Sequence, residues 1–116
     1  MTNIERTSRN SARVTREYPI SASKLLDGFQ QAIEKLPRWE IESRNVDNIE
    51  ATRKTAIFRF TDDVTVVVEA HGDGSRAVIS SSSRVGKGDL GQNPRNVEAL
   101  LEAVERELAA EGQPTT

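Results

Sequence analysis

The sequence predicts an α+β domain in which one antiparallel sheet carries two helices on one face, in the order β-α-β-β-β-β-α. Three observations lead to this fold class. The middle of the chain alternates apolar and polar residues, as strands with one buried face do. Two other segments place apolar residues three and four positions apart, as amphipathic helices do. The connections between strands are short, which restricts neighbouring strands to antiparallel pairing.

Composition restricts the class of protein further. A chain of 116 residues is the size of one domain, and 35% hydrophobic content with clear periodicity argues against disorder. The absence of cysteine excludes a disulfide framework and a thiolate metal site. A net charge of −2 argues against a dedicated nucleic-acid binder. No apolar run suggests a leader or a membrane span, so we expect a cytoplasmic protein.

The first half of the domain should hold one strand and one helix. Residues 12–18 fit a strand, and either Ser21 or Ser23 can cap the helix that follows. This helix should cover residues 22–36 and end before Pro37, because proline disfavours helical backbone in the preceding residue. Its apolar face consists of Leu25, Leu26, Phe29, Ile33 and Leu36.

Four strands should follow as a meander. They are predicted at residues 39–44, 49–60, 64–70 and 76–85, with Phe58 and Phe60 on one inward face. The turns between them are predicted at Asp47-Asn48, at Asp62-Asp63 and at the glycine-rich residues 71–75.

The last helix has the clearest pattern. Asn93 is the expected N-cap and Pro94 the first helical residue, and Gly112 should end the helix. Its apolar stripe consists of Val97, Leu100, Leu101, Val104 and Leu108. Both helices then pack on the apolar face of the sheet, as in the TATA-binding-protein-like and helix-grip folds. The domain should span residues 12–111, with a flexible tail at 1–11 and a frayed end at 112–116.

Residues 80–96 form the main candidate site, because three glycines and several charges lie between the last strand and the last helix. A glycine-rich turn before a helix exposes backbone amides that favour an anion. The candidate anion or partner site comprises Arg84, Gly86, Lys87, Asp89, Gly91, Asn93 and Arg95. A structural alternative is that Arg84 pairs with Asp89 to hold a long connection. The GxGxxG string at residues 86–91 does not indicate nucleotide binding, since the strand before it belongs to a meander.

The remaining candidates are weaker. Asp62-Asp63 lacks further oxygen donors, so no metal site is predicted. The lone histidine, His71, lacks a partner and a pocket, so an enzyme is not favoured. The apolar residues Phe29, Trp39, Phe58 and Phe60 belong either to the core or to a cleft for an apolar ligand.

The glycine-rich segment also carries a resemblance to a family. Residues 83–101 resemble the signature of the bacterial and plastid domain-of-unknown-function family 1499. The matching positions are Ser83, Arg84, Val85, Gly86, Lys87, Asp89, Leu90, Gly91 and Asn93. Gly88 departs from the serine usual there, and Pro94 with Asn96 replace a more basic helix start. The resemblance covers roughly residues 12–108, implies the same fold and leaves the activity open.

Taken together, the sequence favours a non-enzymatic binding or interaction domain with a polar loop before its last helix. The first alternative is a carrier of a small apolar ligand in a helix-grip cleft. The second is an enzyme that uses Arg84, Lys87 and Asp89. The expected partner is a small anion or an apolar ligand, no cofactor is expected, and the oligomeric state is left open.

Overall fold

A computed structural model describes residues 4–8, 11–55, 60–84 and 91–115. Within them the chain forms one six-stranded antiparallel sheet and two helices. The elements are β1 (Glu5–Ser8), β2 (Ser11–Tyr18), α1 (Ala22–Lys35), β3 (Trp39–Arg44), β4 (Asn48–Lys54), β5 (Thr61–His71), β6 (Gly74–Ser83) and α2 (Gln92–Ala110). The strands lie side by side in the order β1-β2-β6-β5-β4-β3.

Both helices pack on the same face of the sheet, so the predicted α+β class with a helix-grip-like arrangement is confirmed. α1 contacts β3, β4, β5 and β6, whereas α2 contacts β2 and β6 and also packs against α1. The inward row of β5 alternates as predicted and buries Val64, Val66 and Val68. The largest fully buried side chains include Phe29, Leu25, Leu26, Ile33, Ile49, Ile79, Leu100 and Leu108.

The N-terminal segment differs from the prediction. Residues 1–11 were expected to form a flexible tail, but β1 (Glu5–Ser8) pairs with β2 in an antiparallel register that shifts between its two ends. Strand pairing uses backbone groups that every residue except proline provides, so it needs no apolar alternation in the sequence. Ile4, next to this strand, packs against the core.

α1 begins and ends close to the predicted positions. Ser21 is the N-cap, and its side-chain oxygen accepts a hydrogen bond from the Lys24 amide at 3.2 Å. Leu36 has extended backbone, as expected for the residue before Pro37. Arg38 then takes a left-handed conformation with φ +67°, and its carbonyl accepts a bond from Lys54 N at 3.0 Å. This connection leads the chain directly into β3.

α2 begins earlier than the capping pattern predicted. Its N-cap is Gly91, with φ +80°, so Asn93 is a residue of the first turn and not the cap. The glycine is suited to this place because left-handed backbone is unfavourable for other residues. The predicted end at Gly112 is confirmed: it has φ +77°, and Gln113 N donates to Leu108 O at 2.8 Å.

Two predictions between β4 and β5 were wrong. Asp62-Asp63 does not form a turn, because β5 begins at Thr61 and includes both residues. Phe60 does not point into the core, since it is 49% exposed. It follows the end of β4, and its backbone bonds to Thr55 instead, with Thr55 N donating to Phe60 O at 2.8 Å. Phe58 lies outside the described residues.

Candidate functional site

A row of polar residues crosses one end of the sheet, close to where α2 begins. Trp39 pairs with Arg53, Arg53 pairs with Asp62, and Asp62 pairs with Ser83. Directly paired residues in a sheet share a face, so these four residues lie on the face that carries the helices. The next row inward is mainly apolar and consists of Ile41, Ala51, Val64 and Ser81. The core therefore ends in a polar row at this edge of the molecule.

Five of the side chains here form a polar cluster, which comprises Asp62, Ser81, Ser83, Asn93 and Asn96. Asp62 Oδ1 accepts a bond from Ser83 Oγ at 3.0 Å, and Asp62 Oδ2 accepts one from Asn96 Nδ2 at 2.8 Å. Asn93 Nδ2 donates to Ser83 Oγ at 2.9 Å, and Ser81 Oγ donates to Asn93 Oδ1 at 2.6 Å. The cluster joins β5 and β6 to the first turns of α2.

The helical period explains why the two asparagines face the sheet. Asn93 and Asn96 are three residues apart and precede Val97 and Leu100 on the same apolar stripe of α2. Asn93 is fully buried and Asn96 is 1% exposed. Gln92 Nε2 adds a bond to Asn96 Oδ1 at 2.6 Å. The side chain of Asn93, predicted as a cap and as an anion ligand, is therefore used for attachment of the helix to the sheet.

Arg53 stands next to this cluster without joining it. It is the cross-strand neighbour of Asp62, yet the carboxylate oxygens of Asp62 accept bonds from Ser83 and Asn96. The Nη1 atom of Arg53 is buried and has no hydrogen-bond partner in the part of the chain that the structure describes. Burial lowers the pKa of Arg53, the charges of Arg38 and Arg95 lower it further, and the charge of Asp62 opposes them.

The two other arginines reach the same region from different elements. Arg38 precedes β3, and its carbonyl bonds to the residue that follows Arg53. Arg95 belongs to α2, and its Nη1 lies 3.1 Å from the place that a Cβ on Gly91 would occupy. We call Arg38, Arg53 and Arg95 the arginine group. Asp62 is the acid whose charge acts on Arg53 among the described residues.

The predicted anion site is divided by the structure. Gly91, Asn93 and Arg95 lie together at the start of α2, whereas Arg84 binds Asp63, with its Nη2 and Nε at 2.9 and 3.0 Å from the carboxylate. Asp63 follows Asp62 in β5, so it faces the opposite side of the sheet. The hydrogen bonds to Asp63 raise the pKa of Arg84, and both side chains are about half exposed. Gly86, Lys87 and Asp89, and with them the Arg84–Asp89 alternative, lie outside the described residues.

Of the four residues predicted for an apolar cleft, the structure describes three, and these differ in burial. Phe29 is fully buried in the core, Trp39 packs against the core while partly exposed, and Phe60 is exposed. A groove of about 210 Å³ lies elsewhere on the surface, and four of its six lining residues are charged. The lining consists of Ile4, Arg16, Glu98, Leu101, Glu102 and Glu105. In the described part of the chain, no three residues of metal-ligating type come together.

Four residues of this site were missed from the sequence: Arg38, Arg53, Asp62 and Asn96. A signal existed for three of them. Asp62 is in phase with the inward valines of β5, Arg53 is in phase with Ile49 and Ala51, and Asn96 is in phase with the apolar stripe of α2. A polar residue at an inward position of an otherwise apolar row indicates a buried polar contact. Arg38 had no comparable signal.

These features define an α+β protein with a helix-grip-like arrangement and a polar cluster at the start of its long C-terminal helix. The chain belongs to the family described as Protein of unknown function (DUF1499), whose model matches residues 3–104. The resemblance stated from residues 83–101 is thereby confirmed. A search of curated proteins found no match. Among the described residues, neither helix is both long and apolar enough to cross a membrane.

Several solved structures share the fold at low sequence identity. Protein Ms6760 from Mycobacterium smegmatis is 11% identical with a TM-score of 0.65, and the match covers 94% of this chain and 95% of that one. A structural-genomics target from Rhizobium leguminosarum is 13% identical with a TM-score of 0.62, covering 95% and 99%. CalU16 from Micromonospora echinospora is 11% identical with a TM-score of 0.54, covering 96% and 87%. These likenesses show the fold alone.

Proposed function

We propose that this protein is a non-enzymatic binding domain that takes an anionic ligand at the edge of the sheet where α2 begins. One observation carries the proposal: the charges of Arg38 and Arg95 both act on the partly buried Arg53 there, while the oxygens of the nearby acid accept bonds from Ser83 and Asn96. Like charges in a partly buried place are unfavourable unless an opposite charge joins them. An anionic ligand supplies that charge.

Binding fits the site better than catalysis does. The hydroxyls of Ser81 and Ser83 donate to Asn93 and Asp62 beneath α2, so neither is presented to a substrate. A nucleophile or base needs both a partner and access to the reacting atom. The lone histidine is at the far end of β5, where it contacts Arg76 and Glu17. Arginine side chains, by contrast, are well suited to hold an oxyanion without chemistry.

We expect the ligand to be small. The arginine group is a local feature at one edge of the sheet, and Arg84, which the sequence places in the anion site, binds Asp63 on the other face. The cytoplasmic location that the sequence predicts is consistent with a soluble metabolite-sized anion. A protein partner with an acidic side chain at its surface would meet the same cations, and the titration below separates the two.

The test is an NMR titration of the full chain with inorganic phosphate, sulfate, acetate and citrate at constant ionic strength. We expect saturable amide shifts at Gly91 and Arg95 for at least one of these anions, and unmoved amides at Gly72 and Gly74 at the opposite end of the sheet. Sodium chloride at the same ionic strength is the control. If no anion produces a saturable shift, small-anion binding is wrong; shifts confined to Asp63 and Arg84 would move the site to the outer face.

A further inference from the structure

Arg53 has a buried nitrogen that no described residue of the chain satisfies. Within the described ranges its Nη1 has no hydrogen-bond partner, although the residue as a whole is only partly buried. A buried donor without an acceptor is unfavourable, more so when it belongs to a charged group. Groups of this kind are retained where a ligand or a water completes them. The residue as a whole borders solvent, since it is only partly buried.

The natural neutralising partner of Arg53 is engaged elsewhere. Asp62 lies directly across the β4–β5 pairing, which is close enough for an ion pair between the long side chain of Arg53 and the carboxylate. Its Oδ1 and Oδ2 instead accept bonds from Ser83 and Asn96, which attach α2 to the sheet. Asp62 therefore reduces the local positive charge but leaves the Nη1 atom of Arg53 without an acceptor.

Arg38 provides a second observation at the same place. It has φ +67°, a conformation that is unfavourable for a residue other than glycine. Its positive charge also acts on the positive charge of Arg53. A glycine would fit this backbone without that cost. Residues with strained backbone are concentrated at active sites and ligand sites.

We propose that Arg53 Nη1 donates to an oxygen of a phosphate-type oxyanion, whose negative charges are balanced by Arg38 and Arg95. This inference rests on the proposed function and narrows its ligand class. A phosphate or sulfate group is favoured over a monocarboxylate because it offers more oxygens and more negative charge to Arg53, on which the charges of Arg38 and Arg95 also act. The guanidinium fork of Arg53 can bond to two oxygens of such a group, which a lysine cannot do.

The experiment measures phosphate affinity by isothermal titration calorimetry for the wild type and three variants. Arg53→Met keeps most of the apolar stem and removes the donors, and we expect it to weaken binding at least about tenfold. Arg53→Lys keeps the positive charge but lacks the forked guanidinium donors, so its phosphate affinity should lie between those of the wild type and Arg53→Met. Arg84→Met is the matched control, because Arg84 pairs with Asp63 on the other face, and its affinity should equal that of the wild type.

Thermal unfolding gives a second measure of phosphate binding, and it compares the wild type with several variants. Phosphate should raise the Tm of the wild type and of Arg84→Met in a concentration-dependent manner, as expected for a ligand of the native state. It should raise the Tm of Arg53→Met much less. The exposed Arg38→Met, which is not expected to disturb the core, should show an intermediate shift.

The outcomes separate this inference from the proposed function. If the wild type binds acetate or citrate but not phosphate or sulfate, the phosphate assignment is wrong and the anion-binding function stands. If phosphate binds equally well to Arg53→Met, the site does not use Arg53, and the inference is overturned while anion binding again stands. If none of these anions binds to the wild type, both are wrong.

Discussion

At the scale of single residues, the buried carboxylate of Asp62 depends on hydrogen bonds from two neighbouring side chains. It is 1% exposed, and among the described residues one donor serves each of its oxygens: Ser83 on Oδ1 and Asn96 on Oδ2. A buried carboxylate is stable only while its bonds are made, since water does not reach it to replace a lost donor. Asn96 should therefore contribute strongly to the free energy of unfolding.

We predict that Asn96→Ala lowers the free energy of unfolding by about 2–4 kcal/mol. The substitution removes the donor to Asp62 Oδ2 and a second bond from Asn96 Nδ2 to Ser81 Oγ at 3.1 Å. Urea unfolding at neutral pH measures the change. Gln92→Ala is the control, because Gln92 bonds only to Asn96 Oδ1 within the cluster and should cost about 1 kcal/mol or less. Equal losses in the two variants would contradict the central role of Asn96.

Residue roles were the part of the structure least predictable from sequence. Asn93 and Pro94 fit the favoured start of a helix, yet Gly91 is the cap and Asn93 faces the sheet. A capping preference of about 1 kcal/mol is smaller than the combined free energy of several buried hydrogen bonds, so the tertiary contact decides. Asp62-Asp63 likewise reads as a turn locally, although the phase of the following valines places Asp62 inside.

At the scale of elements, the two helices meet at a glycine. Gly28 lies in the middle of α1, and a Cβ at this position would be 2.9 Å from Leu108 Cδ2 and 3.6 Å from Val104 Cγ2. Both neighbours are fully buried side chains of α2. Glycine lowers the stability of a helix, but at this position the absence of a side chain lets α1 and α2 approach each other.

We predict that Gly28→Ala destabilises the protein by about 1 kcal/mol. Overpacking against Leu108 costs about 1–3 kcal/mol, and the better helix propensity of alanine returns about 1 kcal/mol. A double-mutant cycle with Leu108→Ala gives the decisive measurement. In that background the contact is gone, so Gly28→Ala should stabilise by about 1 kcal/mol. If Gly28→Ala changes the free energy of unfolding in the same direction in both backgrounds, the packing against Leu108 does not require a glycine.

The order of helices and strands was predicted better than the roles of single residues, because the periodic pattern of a helix or strand extends over many positions. The helices and the strands after α1 appear in the predicted order, and the errors fall at ends and connections. β1 escaped prediction because four residues are too few to show a period and it pairs through backbone. The end of β4 at Lys54 was missed because the apolar residues after it continue the strand pattern.

At the scale of the whole molecule, Tyr18 ties the end of β2 to α2 across the core. Its hydroxyl donates to Glu105 Oε2 at 2.8 Å, and Arg16 Nη2 lies 3.5 Å from the same oxygen. Tyr18 is 2% exposed and is the single tyrosine of the chain. Burial raises its pKa well above the ordinary value of 10.0, and the hydrogen bond and charge of Glu105 raise it further.

This raised pKa predicts how global stability depends on alkaline pH. In the unfolded chain the tyrosine loses its proton near pH 10, whereas in the folded protein it keeps it, so the folded state binds more protons above that pH. The free energy of unfolding should therefore fall as pH rises above about 10. Tyr18→Phe should cost about 1 kcal/mol at neutral pH and have a shallower alkaline decline, because its unfolded state has no phenol to ionise.

Tyrosinate absorbance and urea unfolding measured together across this range check the mechanism. In the wild type the tyrosinate signal should rise only as the protein unfolds, since a buried phenol beside Glu105 cannot ionise in place. The two proteins differ by one hydroxyl group, so the difference between their alkaline slopes isolates the tyrosine. Tyrosinate formation in the folded protein near pH 10, or identical alkaline slopes for the two proteins, would mean that the contact between β2 and α2 opens without global unfolding.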